Sequence, residues 1–163
     1  MDREWSTSAL GEEVAGWDWF ALQLDDGRDL MLYRLRREDG TADPWSKGSL
    51  VAADGSARTL TAEEFVLAPL ATWTSPATGA AYPVRWRIAL PAEGLELTVA
   101  PRLEAQEMQV AVRYWEGAVT VRGRDPSGPV AGHGFLEMTG YAPEALAGER
   151  GRAASAAASR TGG

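Results

Sequence analysis

One stretch limits what this chain can fold into: Gly16-Trp17-Asp18-Trp19-Phe20-Ala21-Leu22-Gln23-Leu24, then Asp25-Asp26-Gly27-Arg28, then Asp29-Leu30-Met31-Leu32-Tyr33-Arg34-Leu35. Asp26-Gly27 is a strong signal for a two-residue hairpin turn, whose central positions both need positive φ. With Asp25 opposite Arg28, Phe20 faces Tyr33, Leu22 faces Met31 and Asp18 faces Leu35. The other face receives Trp17 with Arg36, Trp19 with Arg34 and Ala21 with Leu32. The first face is apolar apart from one carboxylate and one phenol, the lining expected of a barrel built around a ligand.

Period 2 continues down the chain. A second Asp-Gly, Asp54-Gly55, joins Leu50–Ala53 to Ala57–Leu60. Tyr82, Val84, Trp86, Ile88 and Leu90 share one face of a strand while Arg85 and Arg87 point the other way. Leu95–Val99 alternates after Pro91-Ala92-Glu93-Gly94, and Met108, Val110, Val112 and Tyr114 line one side of a further strand. Val119 and Val121 keep the alternation, and residues 133–141 give a last strand. Thr61-Ala62-Glu63-Glu64 matches a capping box, although so short a segment reads better as a turn. Roughly nine or ten strands over residues 1–146 predict an all-β barrel or sandwich, and adjacent hairpins favour an up-and-down antiparallel barrel over a Greek key. Residues 147–163 lack large apolar side chains and are expected to be a disordered tail.

Composition narrows the chemistry. There is no cysteine and one histidine, His133, so thiol nucleophiles, disulfides, cysteine zinc sites and multi-histidine metal centres are excluded. A general acid or base is then expected to be Asp, Glu or Tyr, and no metal or organic cofactor is implied. A net charge of −7 argues against nucleic acid as a partner. The longest apolar run, residues 65–71, is too short to span a bilayer. No apolar signal segment follows Met1-Asp2-Arg3-Glu4, and compartment stays open.

Three residues are expected to carry catalysis: Asp18, Tyr33 and Glu137. A carboxyl group among Phe20, Leu22, Met31 and Leu35 is desolvated, which favours a proton-donating form, with Tyr33 orienting the substrate. The competing reading puts Asp18 at the barrel rim as a hydrogen-bond acceptor. Glu137 pairs with Glu116 either as an interior carboxylate couple or through ion pairs to Arg85, Arg87 or Arg113. Trp5, Phe20, Met31, Trp86, Tyr114 and Glu116 are the expected ligand-binding wall. His133, between glycines, reads as a surface turn, and Arg34, Arg36 and Arg37 as an exposed face. The seven tryptophans read mostly as core and barrel-end plugs, or alternatively as a cage for a carbocation.

Several pieces, in order, resemble the second half of the carotenoid hydratase (CrtC) and AttH-like family. They are Met1–Ser6, Gly16–Phe20, Leu30–Tyr33, Trp73–Ser75, Tyr82–Trp86, Tyr114–Gly117 and Gly132–Tyr141. The resemblance implies a lipocalin-like barrel, the second of a two-barrel protein whose first barrel is absent from this chain. It also implies a small lipophilic ligand (polyene, terpenoid or polyketide-like), frequent export, and hydration, isomerisation or cyclisation promoted by acid. Arg3 stands where the family's opening motif carries histidine, and Leu35 where its hydratases carry aspartate, which argues against carotenoid hydration itself. Three functions follow: an acid-promoting enzyme, a lipophile carrier without chemistry, or a structural half that packs against a second barrel through Trp17 and Trp19. A carboxyl group in an apolar cavity marks the first, a purely apolar cavity the second, and a filled core with a bare tryptophan flank the third.

Overall fold

The structure, a computed structural model, describes residues 14–109 and 113–141. They form ten strands: β1 (Val14–Leu24), β2 (Asp29–Arg37), β3 (Lys47–Val51), β4 (Ala57–Thr61), β5 (Val66–Thr74), β6 (Ala81–Leu90), β7 (Leu95–Pro101), β8 (Glu107–Gln109), β9 (Arg113–Asp125) and β10 (Gly128–Thr139). The sheet is antiparallel and runs β4-β3-β2-β1-β10-β9-β7-β6-β5, with β8 added beside β9. Consecutive strands are neighbours almost throughout, as short turns dictate. The sheet curls into a half-barrel: β4 and β5 end its path and do not pair with one another. Side chains span that seam. Leu60 of β4 and Phe65 enter the common core, Arg34 of β2 donates to the Leu67 carbonyl of β5 at 3.5 Å, and Arg58 of β4 reaches Glu93.

Among the described residues the interior side chains are sealed from solvent. β6 contributes Tyr82, Val84, Trp86, Ile88 and Leu90, β7 contributes Leu95, Leu97 and Val99, and β9 contributes Trp115, Val119 and Val121; none is more than 2% exposed. A hollow wide enough for a ligand leaves its lining accessible, and this lining is not. Each such side chain stabilises the fold by about 1.5–3 kcal/mol through burial.

The first hairpin departs from its predicted register. The Leu24 N–H donates to the Arg28 carbonyl at 2.8 Å and the Gly27 N–H to the Leu24 carbonyl at 3.0 Å, so the loop holds three residues, not two. Within this loop only Gly27 takes positive φ, at 89°, and no non-glycine residue among those described does. A type I turn closed by a left-handed glycine meets those dihedrals, whereas a type I′ turn would force Asp26 to positive φ as well. Asp18 therefore lies opposite Arg34, Trp19 opposite Tyr33, Phe20 opposite Leu32 and Ala21 opposite Met31. A one-residue slip moves the whole side-chain set of a strand to the other face. Leu30, Leu32, Arg34 and Arg36 thus share the inner face of β1 and β2, while Met31, Tyr33 and Leu35 turn outward. Asp54-Gly55 makes the same three-residue loop, with the Ala52 N–H on the Ser56 carbonyl.

Two further expectations need correcting. The strand expected across Met108–Tyr114 is two antiparallel strands, with Met108 opposite Tyr114. Of the six described tryptophans only Trp86 and Trp115 are in the core; Trp17, Trp19 and Trp73 are half-buried and Trp45 is 69% exposed. The segment after β4 is a turn, as expected, and it makes one half of the capping box, the Thr61 N–H donating to the Glu64 carboxylate at 2.8 Å while the Glu64 N–H donates to the Thr61 backbone carbonyl. Val110, Val112, Trp5 and the tail at 147–163 lie outside the described residues.

Candidate functional site

Asp18 has no exposed surface. Its Oδ2 accepts from Arg34 Nε at 3.0 Å and Arg34 Nη2 at 2.8 Å, and Arg36 Nε lies 3.4 Å away. Its Oδ1 accepts from the Tyr141 hydroxyl at 2.7 Å. Arg36 also donates to the Thr139 carbonyl and stacks 3.8 Å over the Tyr141 ring; Arg34 stands 5.0 Å over the Trp86 ring. Burial, and the adjoining Asp18 carboxylate, push the Tyr141 phenol well above its ordinary value, which keeps it a hydrogen-bond donor. Gly16 makes room for this cluster, since a Cβ there would strike the Thr139 carbonyl and sit 2.8 Å from Arg36 Nη2. The apolar surroundings expected of Asp18 are replaced by two guanidinium groups and a phenol. Such a cluster braces β1, β2 and the end of β10; losing one partner leaves buried charge uncompensated.

The outer face of the same strands carries a second cluster. One ladder row reads Lys47, Tyr33, Trp19, Glu137, Glu116 across β3, β2, β1, β10 and β9. The Trp17 indole N–H donates to Glu137 Oε1 at 2.6 Å, and Trp17 meets Tyr114 edge to face at 6.3 Å. Met31, Ala21, Phe135 and Ala118 form the next row, with Phe135 43% exposed. Outer faces of antiparallel sheets ordinarily carry polar side chains. This one is aromatic, with two opposed carboxyl groups set into it.

A third cluster fastens β8 to the β5–β6 turn. Glu107 accepts from Ser75 Oγ at 2.6 Å, Thr78 Oγ1 at 2.7 Å and Tyr82 Oη at 3.0 Å. Burial raises its pKa, but the three donors outweigh burial and hold it below the usual carboxylate range. Among the described residues no three carboxylate or imidazole groups converge as metal ligands.

The expected site residues therefore divide between two faces. Asp18, Phe20 and Trp86 are inside, with Phe20 edge-on to Trp86 at 5.5 Å. Tyr33, Glu137, Met31, Tyr114 and Glu116 are outside. Asp18 and Tyr33, expected on one face, are on opposite faces, and the Glu116–Glu137 couple is exterior rather than interior. Arg34 and Arg36, read as exposed, are the partners of Asp18. His133 is exposed, as expected, but stands within β10 opposite Thr120. Sequence reasoning missed Arg34, Arg36, Tyr141 and Glu107. Arg34 and Arg36 were legible only as a continuation of the Leu30, Leu32 alternation.

Comparisons with known proteins bear on this geometry. A family model described as AttH-like matches residues 1–141. The crystal structure of an AttH-type protein from Nitrosomonas europaea is 36% identical, with a TM-score of 0.75 over 85% of this chain and 42% of that one. Kievitone hydratase from Nectria haematococca is 21% identical, with a TM-score of 0.67 over 84% of this chain and 42% of that one, a likeness of fold alone. The chain spans about two-fifths of the length of either structure. No curated protein sequence matches it.

Proposed function

The chain belongs to the AttH-like family, and from that premise we propose that it works as one barrel of a hydratase-type, two-barrel protein, holding a lipophilic ligand against its outer aromatic face. The observation that carries this reading is the filled interior combined with an apolar exterior: inner side chains are sealed, while Trp17, Trp19, Tyr33, Met31 and Phe135 lie on the outside. A second barrel seated there covers the face and leaves a cleft at the seam, where ligand sites commonly form between domains. Solved relatives more than twice as long are consistent with it.

In that cleft Glu137 takes the acid role assigned earlier to Asp18. Its carboxyl group is oriented by the Trp17 indole, and it flanks Trp19 on one side while Tyr33 flanks it on the other. Hydration of an alkene needs a proton delivered to carbon from a dry, aromatic-walled site, and the indole faces there stabilise developing positive charge. Asp18 keeps a structural role beneath them.

The test uses a fluorescent polyene fatty acid, cis-parinaric acid, titrated into the chain alone and into the chain with a second lipocalin-like barrel supplied in trans. Saturable binding is expected only with the second barrel, and Trp19→Ser should abolish it. Saturable binding by the chain alone, unchanged in Trp19→Ser, would overturn the proposal.

A further inference from the structure

The outer face of β6, β7 and β9, away from the aromatic cluster, is a basic surface that the function above does not use. The ladder row Ala68, Arg87, Thr98, Arg122, Ala131 lies beside the row Val66, Ala89, Glu96, Arg124, Pro129, and Arg85 stands two residues from Arg87 on β6. Arg85, Arg87, Arg122 and Arg124 are all exposed. Apart from Glu96 the remaining positions carry short side chains, so the guanidinium groups project beyond their neighbours.

Charge is segregated here against composition. The chain has 23 acidic and 16 basic residues, enough carboxylates to pair every arginine. Elsewhere among the described residues five arginines are paired, Arg28 with Asp26 and Asp125, Arg34 and Arg36 with Asp18, Arg37 with Asp43, Arg58 with Glu64 and Glu93, while Arg102 and Arg113 stand singly, away from any cluster of cations. On this face Glu96 pairs with Arg87 at 2.7 Å, and among the described residues no carboxylate lies within ion-pair distance of Arg85, Arg122 or Arg124. The adjoining edge strand β5 exposes Val66 by 45% and, in its bulge after Pro69, Leu70 by 53%.

We propose that this face docks the protein on an anionic lipid membrane, the arginines meeting headgroups and Val66 and Leu70 entering the interface. Three features favour a membrane over other anions. The cations spread across three strands, well beyond the groove between Arg87 and Arg124, and apolar side chains border them, the combination that interfacial binding uses. A small free anion in the groove of about 380 Å³ between Arg87 and Arg124 would meet Glu96, which lines it. Single-stranded nucleic acid needs aromatic side chains for its bases, and these two rows have none. The net charge of −7 does not forbid docking, because charges are screened over about 8 Å at physiological ionic strength and the nearest face decides. Docking would also put the domain where lipophiles partition, though it stands whether or not the ligand reading holds.

The experiment is vesicle co-sedimentation of the whole chain with phosphatidylcholine vesicles, with and without phosphatidylglycerol. Binding is expected only to the anionic vesicles, to weaken as salt is raised, and to fall about fivefold for each arginine neutralised in Arg85→Gln, Arg122→Gln and Arg124→Gln. Leu70→Ser should weaken it separately, and Arg58→Gln, on a paired arginine, should leave it unchanged. Circular dichroism confirms that each variant is folded, and all three arginines are exposed. Equal binding to neutral vesicles, or no loss in the arginine variants, would overturn the proposal. So would concentration-dependent self-association removed by those variants, which would make a second copy's acidic surface the occupant.

Discussion

Asp18 holds two guanidinium groups that, among the described residues, have no other carboxylate within reach, so its removal strands them. Asp18→Ala should lower stability by about 3 kcal/mol, read as a shifted urea midpoint, with Asp18→Asn moving it in the same direction by less. An unchanged midpoint would show that the clamp does not form. Tyr141 gives this cluster a signature at high pH. Its raised value means that its contribution is complete below the unfolded phenol's pKa of 10.0 and is lost as pH rises through the folded value. Tyr141→Phe should therefore flatten the alkaline limb of a stability-against-pH curve above about pH 10. Asp125 does the reverse. Hydrogen bonds from Ser127 first, and then Arg28, lower its pKa from 3.8 to about 2, so its contribution is present above 3.8 and lost as pH falls towards 2. Asp125→Asn should remove that part of the acid limb.

At the scale of the element, the β1–β2 hairpin decides which residues can meet. Leu32 is sealed in the core and Met31 lies on the outer face, so Leu32→Ala should cost about 2–5 kcal/mol and Met31→Ala under about 1.5 kcal/mol by chemical denaturation. The opposite ranking would restore the two-residue turn. Gly16→Ala should also destabilise the fold, through its clash with Thr139 and Arg36. The slip shows why so much of the site escaped sequence reasoning. Residues 30–33 are apolar on both faces, so period 2 cannot choose between them, and the turn alone set the register. β6 was legible throughout because its arginines alternate with aromatic and branched residues. Nothing in the even alternation of Met108 to Tyr114 marked the division between β8 and β9. Tyr141 entered its cluster by a contact 123 positions away, which no local pattern encodes.

Across the whole molecule, the sheet separates three tasks. Among the described residues its inside is sealed from solvent, one outer sector is aromatic and acidic, and another is basic. Strand β9 carries Tyr114 and Glu116 at one end and Arg122 and Arg124 at the other, so both sectors are held on one rigid element. The all-β, up-and-down order was legible because turns recur at short spacing, whereas the fate of the interior was not, since a packed core and a ligand-lined one alternate alike. Phe135→Lys, on the outer face, should leave the melting temperature of this chain within a few degrees while abolishing the association proposed with a second barrel, read by analytical ultracentrifugation. The filled interior is tested most directly by the indole N–H resonances of the tryptophans while a polyene is titrated into the two-barrel assembly. Trp17 and Trp19 should shift, with Trp86 and Trp115 unmoved; shifts confined to Trp86 and Trp115 would put the ligand inside the barrel and contradict the assignment of the outer face.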